Sequence, residues 1–405
     1  MAQITLDEVF SHRHNPYPFY ARLREQGPLS YVTWRGASMW LATNYDDVIA
    51  ILKDTRFTLD RQKIESSEER QSATSESAPR YVPLIGMRHL LNTDPPDHTR
   101  LRSLVSKAFT PRMIEQLRPR IQQITDELLD AVQSQGRMDL IADFAYPLPI
   151  TVISEMLGVP PKDRKPFRAW TQAIVQGQST VQEREAAGMA AEEAFITYIK
   201  TLLAEKRAHP DNDLTSGLVR AEENGDTLSE NELISMIFLL ITAGHETTVN
   251  LIANGTLALL EHPEQMNQLR ADPTLLPSAI EELLRYTAPV SLSAVRWASE
   301  DIAVHDKVIR KGEMVRCALL GANTDPQQFP DPAVLDILRR ENQHVAFGKG
   351  VHYCLGAPLA RLEGQIAIGT LLRRLPHLRL AQDPEQLAWK EAGSLRVLVA
   401  LPVAF

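Results

Sequence analysis

Cysteine is almost missing: the 405-residue chain has two, Cys317 and Cys354. Two cysteines can build neither a disulfide scaffold nor a four-cysteine zinc site, and so few suit a reducing cytoplasm, where the protein is expected to reside. Aromatic residues are also sparse, at 6 %. No stretch holds the ~18 consecutive apolar residues of a membrane span. Met1 to Tyr20 lacks the apolar run of a signal peptide, so no membrane anchor is expected. Nor is there an excess of basic charge; a net charge of −8 argues against general nucleic-acid binding. No internal repeat and no long linker divides the sequence, which points to one domain over residues 1–405.

What is present suits a globular, mainly helical protein with a minor β region: 44 % hydrophobic and 23 % charged residues, with helix formers throughout. Tyr31–Trp34 and Met39–Ala42, around Arg35-Gly36, read as a hairpin, and Tyr45–Lys53 as a helix. Residues 61–80 are rich in Ser and Glu without periodicity, so 61–91 reads as a surface loop and then a pocket cover. A helix is expected from Asn92-Thr-Asp-Pro-Pro to Phe109, and others over 111–134, 150–157, 165–178 and 183–207. Ser229-x-x-Glu232 is a capping box that opens a helix running to Leu260, about 45 Å long at the usual rise. Val304–Val308 and Val315–Ala318, with Gly312 between, read as a hairpin, and Leu395–Val403 as closing strand. Cys317 falls in that hairpin as a small buried hydrophobe.

Four patterns carry chemistry. The first is Ala346–Glu363, in which Gly348, Gly350 and Gly356 surround Cys354 ahead of a helical pattern with Pro358 in its first turn. A helix N-terminus stabilises a thiolate, which would be a nucleophile or a metal ligand; an inert buried cysteine is the alternative. The second is His98 and Arg102, four apart on one helical face, able to clamp carboxylates or simply to face solvent. From there to Ile121, Arg100, Arg102, Lys107, Arg112, Arg118 and Arg120 are opposed by Glu115 alone, a local excess suited to an acidic partner or to a solvated surface. The third is Ala243-Gly244-His245-Glu246-Thr247-Thr248, which places glycine, acid and hydroxyls in the middle of an apolar helix. Hydroxyls there can bond back to carbonyls one turn earlier and help open the helix. The fourth is Glu282 and Arg285, an i,i+3 pair that by itself says little.

Phe347, Gly348, Gly350, His352, Cys354 and Gly356 resemble the haem-binding loop of the cytochrome P450 family, F-G-x-G-x-H-x-C-x-G. The other patterns recur in that family's order, so the resemblance spans the whole chain. It implies the P450 fold, a large helical part around a haem with small antiparallel sheets. Haem b would be the cofactor, with Cys354 as its thiolate metal ligand. His98, Arg102, Arg296 and His352 would hold the propionates. Ala243 and Gly244 would face the haem; Thr247 would hydrogen-bond the oxygen being activated and Glu246 would help relay protons. Glu282, Arg285 and Arg339, the last from Asp336-x-x-Arg339, would form a structural network that shapes the cysteine loop. Leu335 and Thr324 depart from the family's phenylalanine and arginine. Val290 and Leu292 would line the substrate pocket, with the 61–91 and 165–190 regions as lids. The resemblance implies a monomeric monooxygenase that inserts one oxygen atom of O2 into an apolar small molecule. Its electrons would come from NAD(P)H through a ferredoxin reductase and a ferredoxin. Peroxide-driven turnover and a non-catalytic haem carrier or sensor are the alternatives. A zinc protein does not suit the sequence, because thiolate and imidazole do not recur at ligand spacing.

Overall fold

The computed structural model describes residues 4–6, 8, 14–34, 36–64, 84, 87–176, 181–223, 225–390 and 392–405, without the side chains of 172, 175–176 and 181–187. Most of the loop expected at 61–91 lies outside the described residues, as do 177–180 of the second lid. The architecture is mainly helical with small sheets, as the sequence leads one to expect. The chain forms two compact units, residues 1–64, 118–146 and 247–405 in one, and 65–117 and 147–246 in the other.

In the second of these, helix α1 (Asp97–Ala108) is followed by Pro111–Gln116, whose cap Thr110 accepts a hydrogen bond from the Met113 amide at 3.2 Å. The continuous helix expected over 111–134 is in fact two, the later one being Arg118–Gln133. Pro119 explains the break: it has no N–H to donate to the preceding turn, and is tolerated only where a helix begins. The helices Pro147–Met156, Arg164–Gln176 and Val181–Ala208 match expectation within a few residues. Stacked Phe167 and Phe195 (5.6 Å between centroids) and the Phe195–Phe238 edge contact (5.8 Å) mark the core.

Phe238 belongs to α2 (Glu230–Glu261), the long helix that the sequence predicted. Its capping box forms as expected: the Ser229 amide donates to Glu232 Oε2 at 2.8 Å and the Glu232 amide to Ser229 Oγ at 3.3 Å. Hydroxyl back-bonding occurs at Thr242, whose Oγ1 donates to the Phe238 carbonyl at 3.0 Å, and the helix is unbroken through 243–248. By length and composition α2 could cross a membrane, with mean hydropathy 1.4 in its most apolar window, but 61 % of that window is buried inside the protein. It is therefore a core helix.

The first unit holds a six-stranded sheet of β1 (Ile4–Thr5), β2 (Leu29–Trp34), β3 (Ala37–Ala42), β4 (Phe57–Thr58), β5 (Arg296–Ala298) and β6 (Met314–Cys317), in spatial order β1-β2-β3-β6-β5-β4. The β2–β3 hairpin confirms the early reading. The later hairpin is corrected. Lys307–Ile309 pairs with Ile302–Val304 across His305-Asp306, while β6 runs parallel to β3 with Val315 opposite Trp40. Val315 and Cys317 are fully buried in the core beneath the sheet, and burial decides their partner where local pattern did not.

In the same unit, the end of α2 packs with α3 (Leu276–Thr287) and α4 (Ala357–Arg374). Close approach is possible because α4 carries glycine at the crossing. A Cβ on Gly364 would lie 3.1 Å from Leu251 Cδ2 and 3.4 Å from Ile280 Cδ1. Gly364→Val should therefore push the helices apart and cost about 1–3 kcal/mol, read as a lower thermal midpoint; an unchanged midpoint would show that the crossing is not tight.

Candidate functional site

The loop ahead of α4 is built by backbone hydrogen bonds. The Val345 amide donates to Asn323 Oδ1 at 2.8 Å, the Gly348 amide to the Val345 carbonyl at 2.9 Å, and the Cys354 amide to the Phe347 carbonyl at 3.0 Å. Gly350 is required twice over: its φ is +74°, and a Cβ there would meet the Leu52 carbonyl oxygen at 2.7 Å. Gly356 caps α4 and Pro358 sits in its first turn, as the sequence predicted. Cys354 precedes that helix N-terminus and is half-buried. Cys317 contrasts with it: complete burial pushes its thiol up to about 12, which makes it inert packing.

Glu282, Arg285 and Arg339 come together in one network. Glu282 and Arg285 on α3 are both fully buried and joined by two 2.7 Å hydrogen bonds. Arg285 also donates to the carbonyls of Asn323, Pro332 and Val334 at 2.8–3.0 Å. Arg339 reaches Glu282 at 3.3 Å, and the Asp336 amide donates to Glu282 Oε1 at 3.0 Å. Leu335 is buried in the adjoining core, so the departure from phenylalanine leaves an apolar contact in place. Thr324 is likewise buried, and Arg24 supplies a guanidinium beside it, donating to the Gly321 carbonyl at 2.7 Å.

The remaining residues fall as follows. In this unit, Arg296 is buried on β5 and donates to the Phe57 carbonyl at 3.1 Å, so it is not an ordinary edge-strand charge. His352 ends a short turn, Gly350–His352, and is half-buried, as are Phe347, Gly348 and Gly356. Val290 is partly buried and bridges to Leu395 beside the Gly393-Ser394 tip. Leu292 is completely buried in the cluster that holds Tyr20, Val32 and Leu320. Thr247 is half-buried on α2. In the other unit, His98 is buried on α1, which excludes the exposed basic face, and Arg102 is half-buried one turn on. Ala243 is exposed, and Gly244 and Glu246 half-buried, in the turn of α2 just before Thr247. The basic run around α1 is partly engaged within the protein. Arg100 pairs with Asp226 and Glu232, Lys107 donates to the Glu222 carbonyl, and Arg120 pairs with Glu127.

Among the described residues no group of three or more His, Cys, Asp or Glu could hold a bare metal ion. A half-buried sulfur at a helix mouth fits a metal that brings its own equatorial donors, as iron does in a porphyrin. The cytochrome P450 family model matches residues 165–396. A cytochrome P450 of Priestia megaterium, CYP107DY1, is 52 % identical over 413 aligned positions covering 100 % of both chains. The chain belongs to the cytochrome P450 family. Another member, 6-deoxyerythronolide B hydroxylase of Saccharopolyspora erythraea, is 41 % identical over 96 % of this chain and 95 % of its own. The crystal structure of myxobacterial CYP267B1 in complex with myristic acid superimposes with a TM-score of 0.89 at 45 % identity, covering 99 % of each chain. The protein is thus a P450 monooxygenase, an oxidoreductase that incorporates oxygen, and haem b is its cofactor.

Sequence reading missed one buried acid. Glu363 on α4 is 2 % exposed, hydrogen-bonds the Thr248 hydroxyl, and has one carboxyl oxygen without a partner among the described residues. Burial pushes its carboxyl up to about 8. An acid on a stripe otherwise made of Leu362, Gly364, Ile366 and Ala367 was the available signal. Because the folded value is raised from 4.5, the native state holds a proton that the unfolded chain releases. Stability from this site is therefore fully present below the unfolded value and is lost as pH rises through the folded one, by at most about 4–5 kcal/mol. Glu363→Gln should gain thermal stability relative to the parent as pH rises across that window; parallel midpoint curves would mean that Glu363 is not buried neutral.

Proposed function

We propose that the Cys354 thiolate would hold the haem iron and that the protein hydroxylates or epoxidises an apolar small molecule of polyketide or fatty-acyl type. The observation that carries this reading is the half-buried Cys354 sulfur, the one cysteine set at a helix mouth by a glycine loop. The substrate class is carried over from relatives named as a polyketide biosynthesis cytochrome P450 and a 6-deoxyerythronolide B hydroxylase, and from one solved in complex with myristic acid. Bound haem supplies oxygen activation, with the thiolate favouring O–O cleavage. His98, Arg102, Arg296 and His352 would hold its carboxylates through charge-assisted hydrogen bonds. The Thr247 hydroxyl orients water, and the neighbouring Glu246 carboxyl takes protons from solvent and passes them inward. Val290 presents an apolar wall to the substrate. Electrons arrive from NAD(P)H through a ferredoxin reductase and a ferredoxin, whose acidic surface would meet exposed basic groups such as Arg112. The protein works as a cytoplasmic monomer.

The Glu246-Thr247 acid–alcohol pair favours O2-driven over peroxide-driven turnover, because O2 reduction must draw two protons from solvent, whereas peroxide carries its own two and needs only their redistribution between its oxygens. Thr247→Ala should keep haem content and electron consumption while product per electron falls severalfold and hydrogen peroxide accumulates. Unchanged coupling would remove Thr247 from the relay. Faster turnover of the parent with peroxide alone than with O2 and a reducing chain would favour the peroxygenase.

A further inference from the structure

One guanidinium touches both shoulders of the cysteine loop. Arg361 lies on α4, seven residues or about two turns beyond Cys354. Its guanidinium carbon is 4.6 Å from the centre of the Phe347 ring, and its Nη1 donates to the Tyr353 hydroxyl at 3.3 Å. Phe347 is the residue whose carbonyl accepts the Cys354 amide, and Tyr353 immediately precedes Cys354. The two aromatic rings meet edge to face at 6.3 Å. Both strands of the loop therefore close on this cation.

The cation is itself fixed. Glu281 on α3 grips it in a bidentate pair, Nε to Oε1 and Nη2 to Oε2, both 2.7 Å. His344, just before the loop, lies 3.2 Å from Glu281 through Nε2. Its Nδ1 accepts the Ala346 amide at 3.2 Å, so Nε2 carries the proton and donates to the carboxylate. Burial alone would raise the Glu281 carboxyl, but Arg361 and His344 hold it down at about 2. It stays ionised throughout the working range.

We infer that Glu281, Arg361 and His344 form a charged brace that fixes the two shoulders of the 345–354 loop against α3 and α4 and so keeps the Cys354 sulfur in its ligating position. These are positioning residues, distinct from the Glu282–Arg285–Arg339 network: that network holds the 330–342 segment leading to the loop, whereas the brace holds the loop itself. The inference rests on Cys354 as the haem ligand.

The test follows the carbon monoxide complex of reduced holoprotein, whose long-wavelength Soret band requires a thiolate ligand, and times its conversion on mild warming to the short-wavelength band of a lost thiolate. Glu281→Gln and Arg361→Gln should each load haem and convert about tenfold faster than the parent, the effect of losing one charge-assisted hydrogen bond. The double variant should be no faster than Arg361→Gln, because both act through one element. Arg361→Lys should not rescue, since ammonium offers neither the fork nor the flat face. Phe347→Leu keeps every ion pair and the loop's apolar bulk, so it decides the matter should the charge variants fail to fold; it too should convert faster. Conversion at the parent rate in Phe347→Leu or Arg361→Gln, or additive effects in the double variant, would overturn the brace. A parent protein that never shows the thiolate band would overturn the ligand assignment, and the brace with it.

Discussion

A fully buried ion pair underlies the site. Taking Glu282 and Arg285 out of water costs several kcal/mol per charge, and their mutual attraction offsets this only if the remaining donors and acceptors are also satisfied. They are. The carbonyls of Asn323, Pro332 and Val334 take the spare guanidinium protons, and the Asp336 amide, Asn342 and Arg339 approach the carboxylate. A helix pair bought at this cost has one evident use: it gives an irregular, glycine-containing segment a fixed floor. Irregular backbone cannot define its own position as a helix does, so a precise loop must borrow rigidity from side chains.

Two charged assemblies from adjacent residues of α3 divide this work. Glu282 faces the segment that enters the loop and Glu281 faces the loop through Arg361. Glu281 therefore stays ionised by pairing, whereas Glu363, on the helix that follows the loop, is buried beside a hydroxyl and is pushed toward neutrality. Two carboxyls within one helical packing, Glu281 and Glu363, thus shift in opposite directions, set by whether a guanidinium is in reach.

Much of this was legible in the sequence, for identifiable reasons. Cys354 could be singled out because glycines at 348, 350 and 356 and the helical pattern behind them are local features, and the positive φ of Gly350 confirms the need. The capping box at Ser229 and Glu232 is equally local. Tertiary pairing was not legible. β6 found its partner β3 more than 270 residues away in the chain, where proximity suggested Val304–Val308. Glu281 and Arg361 are 80 residues apart, and no spacing rule reaches that far. The complete burial of Leu292 is likewise set by tertiary packing, which an apolar residue after a helix does not reveal. The proline that splits 111–134 was visible, and its consequence follows from its missing amide proton.

Every role assigned here depends on the Cys354 sulfur reaching iron as a thiolate. The most direct measurement is the difference spectrum of the unmodified protein, expressed with ample haem precursor, reduced and saturated with carbon monoxide. A haem-loaded protein with the long-wavelength band of a thiolate complex is the predicted result. A colourless protein, or a haem complex showing only the short-wavelength band from freshly purified samples, would contradict the account.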